Sequence, residues 1–229
     1  MRFDEVAARL ATLPDPLPTP LDALIPVRLD GVRWRSPSPT TEIPGRPAAV
    51  LVLLYPDSVG DTRVVLIERP TVDGHHHSGE VSFPGGKAEP EDDDAIVTAL
   101  REAGEEVCLD PDAAGVRVVG LLDRFWIPVS DYAVTPVVAL AGSRPDLVAA
   151  PAEVVRILEP PLARFLPGAP VAMVERTIRG WPLRYGHYEI DGLSVWGATA
   201  RVLSQLGAVL GRADDATVSA DTGPSHREP

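Results

Sequence analysis

The sequence predicts a mixed α/β (α+β) fold, an α/β/α sandwich in which a mixed sheet is covered on both faces. Two observations predict it. Short strand-like runs recur along most of the chain, and only two long segments after residue 90 have helical spacing. The run Ala48–Tyr55 is apolar throughout, as expected of a strand buried in such a sheet. At 229 residues with 45% hydrophobic content, the chain fits one domain with extensions, or at most two.

The elements follow in order. Residues 4–13 place Val6, Leu10 and Leu13 on one helical face. Leu13-Pro-Asp-Pro-Leu-Pro-Thr-Pro stops that helix, because proline lacks the N–H and clashes with the preceding turn. Residues 31–46, with Ser36-Pro-Ser-Pro-Thr-Thr, read as a linker or as arm segments packed on the domain. Thr62–Glu68 is the expected hairpin partner of Ala48–Tyr55, and Glu80–Phe83 a short strand entering a glycine turn. Asp94–Cys108 is a helix capped by Asp93 or Asp94. Strands are expected at Gly115–Asp123, Tyr132–Ala141 and Glu153–Leu158, with a helical turn at Pro161–Phe165. Val171–Thr177 and Pro182–Ile190 follow as strands, and Asp191-Gly192 turns the chain into Leu193–Trp196. Gly197–Leu210 is the last helix. Residues 1–44 are therefore expected as an N-terminal helix and proline-rich extension, 45–211 as the main domain, and 212–229 as a disordered tail.

Composition excludes several classes. A net charge of −12 and a pI near 4.8 argue against nucleic acid as the main partner, since phosphate binding needs basic patches. The lone Cys108 cannot close an internal disulfide. The N-terminus lacks an apolar core of signal-peptide length, and the run at 48–55 is too short to span a bilayer. A soluble cytoplasmic protein with no membrane partner is expected, with a monomer or a homodimer both open.

The stretch from Gly79 to Leu109 carries the chemistry. A glycine turn, Phe83-Pro84-Gly85-Gly86, precedes a helix in which Glu102, Glu105 and Glu106 stand at i, i+3 and i+4. That spacing puts the three carboxylates on one helix face. Like charges so placed repel by a few tenths of a kcal/mol per pair. A hard divalent ion relieves the repulsion, because Mg2+ takes carboxylate, phosphate and water oxygens. Read alone, Arg101–Val107 is also open to being a solvated acidic face.

These residues resemble the Nudix box, G-x5-E-x7-R-E-U-x-E-E-x-G-U, where U is bulky and apolar. Gly86 opens it, Arg101-Glu102 is its Arg-Glu pair and Glu105-Glu106 its Glu-Glu pair. The early acid falls on Asp92 or Asp93, with one extra residue in the loop; Ala103 is small where bulk is usual. Cys108 replaces a glycine that usually ends the helix in a left-handed conformation. Gly79 and Phe83-Pro84-Gly85-Gly86 are similar to the second half of the signature of the coenzyme A pyrophosphatase branch. Its first half is degraded: Pro70 follows Arg69, and His75 stands where a second arginine belongs. Glu153–Leu162 and Val195–Leu203 resemble later segments of the same branch, so the likeness runs from about residue 47 to 211.

The resemblance implies the Nudix α/β/α sandwich and a Mg2+- or Mn2+-dependent diphosphatase acting on a small-molecule nucleotide. Coenzyme A or an acyl form is the first substrate; ADP-ribose or a dinucleotide is the runner-up, and a non-catalytic nucleotide sensor a third reading. Glu102 and Glu106 are the implied metal ligands, and Glu105 is either a third ligand or the base. Arg101 is expected to pair with a carboxylate and hold the helix, more than to contact substrate. Gly85 and Gly86 allow close backbone approach, or form a simple turn. Arg69 is open to a phosphate contact or a salt bridge, and His75–His77 to a metal, a phosphate or a solvated loop. Glu153 is open to a role as base or to a structural pair, with the pair expected. Trp126 and Tyr132 are expected to pack, with stacking on a base the alternative, and Trp196 is expected in the core.

Overall fold

The structure, a computed structural model, describes residues 1–29, 43–71, 79–178 and 180–211. His75–His77 and the tail at 212–229 lie outside the described residues. Chain order is α1 (Phe3–Leu10), β1 (Val27–Arg28), β2 (Arg46–Pro56), β3 (Thr62–Val64), β4 (Leu66–Glu68), β5 (Val81–Ser82) and β6 (Gly85–Lys87). There follow α2 (Ala95–Val107), β7 (Arg117–Leu121), β8 (Phe125–Ile127), β9 (Tyr132–Leu140) and β10 (Arg156–Leu158). The chain ends with β11 (Ala172–Ile178), β12 (Trp181–Ile190), β13 (Leu193–Val195) and α3 (Gly197–Leu210).

The central sheet runs β3-β2-β9-β7, with β6 added to β2 and β8 to β9. β2 and β9 are parallel from Arg46↔Tyr132 to Leu54↔Leu140. Their other neighbours are antiparallel, so the sheet is mixed. Successive strand residues point to opposite faces. Ala49, Leu51 and Leu53 of β2 therefore join Ala99, Ala103 and Val107 of α2 in one buried cluster. Val52 and Leu54 join Leu203 and Leu206 of α3, and Val6 and Leu10 of α1, in the other. The apolar run at 48–55 is thus explained by burial on both sides. The sandwich is formed as expected, with α2 on one face and α1 with α3 on the other.

β1, β6 and β8 form where no strand is expected, and two of the expected strands are built differently. Thr62–Glu68 does not remain one hairpin arm: β3 pairs with β2, whereas β4 leaves to pair with β5 and β10. Val64, Val65, Leu66 and Ile67 are all fully buried, so no solvent-facing alternation holds the segment in a single sheet. The strand expected from Glu153 begins only at Arg156. Residues 151–153 form a turn, in which the Glu153 and Val154 N–H groups both donate to the Ala150 carbonyl at 3.0 and 2.9 Å. At the hairpin of β12 and β13, Asp191 and Gly192 have φ of 50° and 80°, as a type I′ turn requires. Among the described residues, no helix is long and apolar enough to cross a membrane.

Candidate active site

α2 begins at Asp94, whose Oδ1 accepts from the Ile96 and Val97 N–H groups at 2.7 and 2.9 Å. It ends at Cys108, which is exposed and left-handed at φ 52°, ψ 33°. These caps fix the length of the helix that carries the glutamates. Facing it, β6 lies on β2 with Val50↔Gly85 and Ala49↔Gly86 in register. Gly85 has φ 152°, and a Cβ there would stand 2.4 Å from the Ala49 carbonyl oxygen. A Cβ on Gly86 would stand 2.4 Å from Glu102 Oε2. Gly85 is therefore required by close approach to the neighbouring strand, and a Cβ on Gly86 would push the Glu102 carboxylate aside.

Glu106 is 1% exposed. Its Oε1 accepts from Arg69 Nη1 at 2.7 Å, and its Oε2 from the Gly85 N–H at 2.8 Å. Burial pushes its pKa up to about 7. The Glu102 charge adds to the rise, and the Arg69 charge and the Gly85 N–H oppose it. Burial likewise raises the pKa of Glu102, helped by Glu105 and Glu153 and opposed by Arg101. The Glu102 charge thus disfavours the ionised form of Glu106, and a nearby cation would reverse that.

Glu105 differs from its neighbours. Its side chain is half exposed and accepts from Arg101 Nη1 at 3.1 Å. Arg101 is heavily engaged. Its Nε and Nη2 fork onto Asp92 at 3.1 and 2.9 Å, and Nη2 also reaches the Lys87 carbonyl at 2.9 Å. Nη1 reaches Glu102 at 3.2 Å. The fork holds the Asp92 carboxyl well below the usual range. Asp92, and not Asp93, is the early acid that pairs with the arginine. Arg101 therefore ties the loop after β6 to α2 and orients Glu102 and Glu105. Among the described residues, no three His, Cys, Asp or Glu side chains stand close enough to form a ready-made metal cluster.

A cleft of about 820 Å3 opens beside these groups. Gly85, Gly86, Arg69, Glu102 and Glu153 line it near α2, and Trp126, Tyr132, Trp181, Trp196 and Arg201 line it elsewhere. Arg69 is spent on Glu106, the salt-bridge alternative. Glu153 is exposed and makes no ion pair among the described residues, so the expected structural pair is absent there. Trp196 is only partly buried and stacks tilted on Tyr185 at 4.8 Å; it is a cleft wall, not core. Trp126 and Tyr132 also face the cleft, Tyr132 beneath the Arg46 guanidinium at 4.5 Å. Sequence reasoning missed Arg201. The signal was available: it is the one charged residue in the helix Gly197–Leu210.

The NUDIX domain family model matches residues 45–157. Nudix hydrolase 22, a chloroplastic protein of Arabidopsis thaliana, is 37% identical over 169 residues, covering 71% of this chain and 55% of that protein. The chain thus spans little more than half the length of that relative. NudL of Photorhabdus laumondii, itself an uncharacterised Nudix hydrolase, is 37% identical over 145 residues, covering 62% of this chain and 74% of that one. Among solved structures, a Nudix hydrolase from M. Smegmatis, RenU, aligns with a TM-score of 0.44 at 21% identity over 60% of this chain and 79% of that one. With a bacterial relative at this identity aligned over nearly three quarters of its length, the chain belongs to the Nudix hydrolase family.

Proposed function

We propose that this chain is a divalent-cation-dependent diphosphatase that splits coenzyme A or an acyl-coenzyme A into 3′,5′-ADP and the (acyl-)phosphopantetheine. The observation that carries the reading is the pair of fully buried Glu106 and partly buried Glu102, set against a glycine strand beside a large cleft. The donor set fits a hard cation, Mg2+ or Mn2+, because only oxygen donors converge there. Glu102 and Glu106 would hold it, with Glu105 the third carboxylate on the same helix. When bound, such an ion offsets charge on phosphate oxygens and lowers the pKa of a water.

The chain's own residues do the rest. Arg69 and the Gly85 N–H orient the Glu106 carboxylate. Arg101 holds the glycine loop against α2. Glu153, exposed at the cleft, is the group assigned to take the proton of the attacking water in this reading. The water oxygen bonds to phosphorus, the bridging P–O bond breaks, and the leaving phosphate keeps the electron pair. Trp126, Tyr132 and Trp181 offer faces on which an adenine stacks. The cleft volume lies toward the upper end for small-molecule sites, which suits an extended, two-part substrate.

One observation favours a second reading. Arg69 already binds Glu106, which leaves it less available to an extra phosphate and admits a substrate without one, such as ADP-ribose. A panel of nucleotides incubated with Mg2+, with products identified by mass spectrometry, separates the two. Coenzyme A is expected to yield 3′,5′-ADP, with Glu106→Gln losing at least about 100-fold in rate, roughly 2.7 kcal/mol of barrier. Near wild-type turnover by the folded variant at saturating Mg2+ would remove the site assignment. Faster cleavage of ADP-ribose than of coenzyme A would move the substrate to the second reading.

A further inference from the structure

Arg201 lies on α3, which covers the sheet face opposite to α2, and it lines the same cleft as Glu102. Its guanidinium stands 4.9 Å from the centre of the Phe125 ring. Burial pushes its pKa down, and only the field of Asp123 counters this. That carboxylate is already engaged: Gln205 Nε2 donates to Asp123 Oδ2 at 2.6 Å. Among the described residues Arg201 makes no hydrogen bond and no ion pair. The other two arginines of the cleft are supplied with oxygen acceptors, Arg69 by Glu106 and Arg46 by the Ser130 carbonyl. Among the described residues, this partly desolvated guanidinium with five N–H donors has a ring face beside it and no acceptor. An oxyanion supplies one, and the planar fork matches phosphate oxygens best. α2 and α3 cover opposite faces of the sheet, so Arg201 and Glu102 reach the cleft from different sides.

We propose that Arg201 binds a second phosphate of the substrate, a phosphomonoester remote from the diphosphate that is cleaved, and so discriminates nucleotides that carry such a group. Resting on the diphosphatase reading, this assigns the 3′-phosphate of a coenzyme A-type nucleotide to α3 and not to Arg69.

The test compares coenzyme A with 3′-dephospho-coenzyme A in the full chain and in Arg201→Met, which keeps an apolar stem over Phe125. The wild type is expected to favour coenzyme A by about ten-fold or more in kcat/KM, the loss of one charge-assisted contact. Arg201→Met should bring the two within about two-fold by losing rate on coenzyme A alone, and Arg201→Lys should restore part of the preference. An equal loss on both substrates, or no loss, overturns the proposal. Calorimetric titration of the wild type with 3′,5′-ADP and with AMP needs neither cleavage nor a variant. Tighter binding of 3′,5′-ADP, by about ten-fold, is expected; equal affinities overturn the proposal. If 3′,5′-ADP is preferred through Arg201 while coenzyme A is not cleaved, the phosphate receptor stands and the substrate reading fails.

Discussion

Glu106 combines full burial, two hydrogen bonds to its oxygens and a second carboxylate nearby. Its folded pKa, up to about 7, exceeds the 4.5 of a free glutamate, so the protonated form is the one the fold prefers. The stability it contributes is therefore fully present below about pH 4.5 and is lost as pH rises through about 7. The full difference amounts to up to about 3 kcal/mol. In a chain of this size that is several degrees of Tm. Without divalent ions, Glu106→Gln is expected to melt above the wild type at pH 8 and level with it at pH 5. Mg2+ should raise the wild-type Tm more at pH 8 than at pH 6, because an ion competes with the proton for the same oxygens. A Tm difference between variant and wild type that does not change with pH would contradict the charge argument. So would an equal Mg2+ effect at both pH values.

At the scale of the element, α2 is positioned at three points: Asp94 at its start, the Asp92–Arg101 fork along its side and Cys108 at its end. The last is the weakest. A left-handed φ of 52° is unfavourable for a residue with a Cβ, and glycine relieves it. Cys108→Gly is expected to keep activity and to gain up to about 1 kcal/mol in denaturant unfolding. Loss of activity in that variant, or inactivation by a mild thiol reagent without unfolding, would give the exposed thiol a role this geometry does not. The helix also shows what the sequence made legible. Glu102, Glu105 and Glu106 sit within five residues, so their common face and the caps around them follow from local periodicity. The start of β10 did not follow, because the turn at Pro151-Ala-Glu is closed by backbone bonds that no propensity announces. Arg69 falling on Glu106, and Arg201 falling on the Phe125 ring, depend on contacts between elements far apart in the chain, which spacing does not encode.

At the scale of the molecule, the protein is strongly acidic, with a net charge of −12, yet its cleft is lined by Arg46, Arg69, Lys87 and Arg201 against Glu80, Glu102 and Glu153. With Arg69 paired to Glu106, the lining is close to neutral inside a strongly acidic chain, and a bound divalent ion would tip it positive. The cleft also depends on the N-terminal segment, which the sequence presents as an extension. α1 packs Val6 and Leu10 into the α3 side of the core, where Leu24 is also fully buried. Arg9 Nη1 donates to the Leu210 carbonyl at the end of α3. Leu24, Ile25 and Pro26 then line the cleft. Each fully buried leucine or valine contributes about 1.5–3 kcal/mol. A domain of ordinary stability, about 5–15 kcal/mol, would lose a large part of it without them. Leu10→Ala is therefore expected to destabilise the chain by about 2–5 kcal/mol through the cavity it leaves under α3, measured by urea unfolding. Its effect on KM should be small, because Leu10 does not line the cleft. A change below about 0.5 kcal/mol, the size usual for surface positions, would show that α1 rests on the domain without supporting it. The N-terminal segment would then be a separable extension after all.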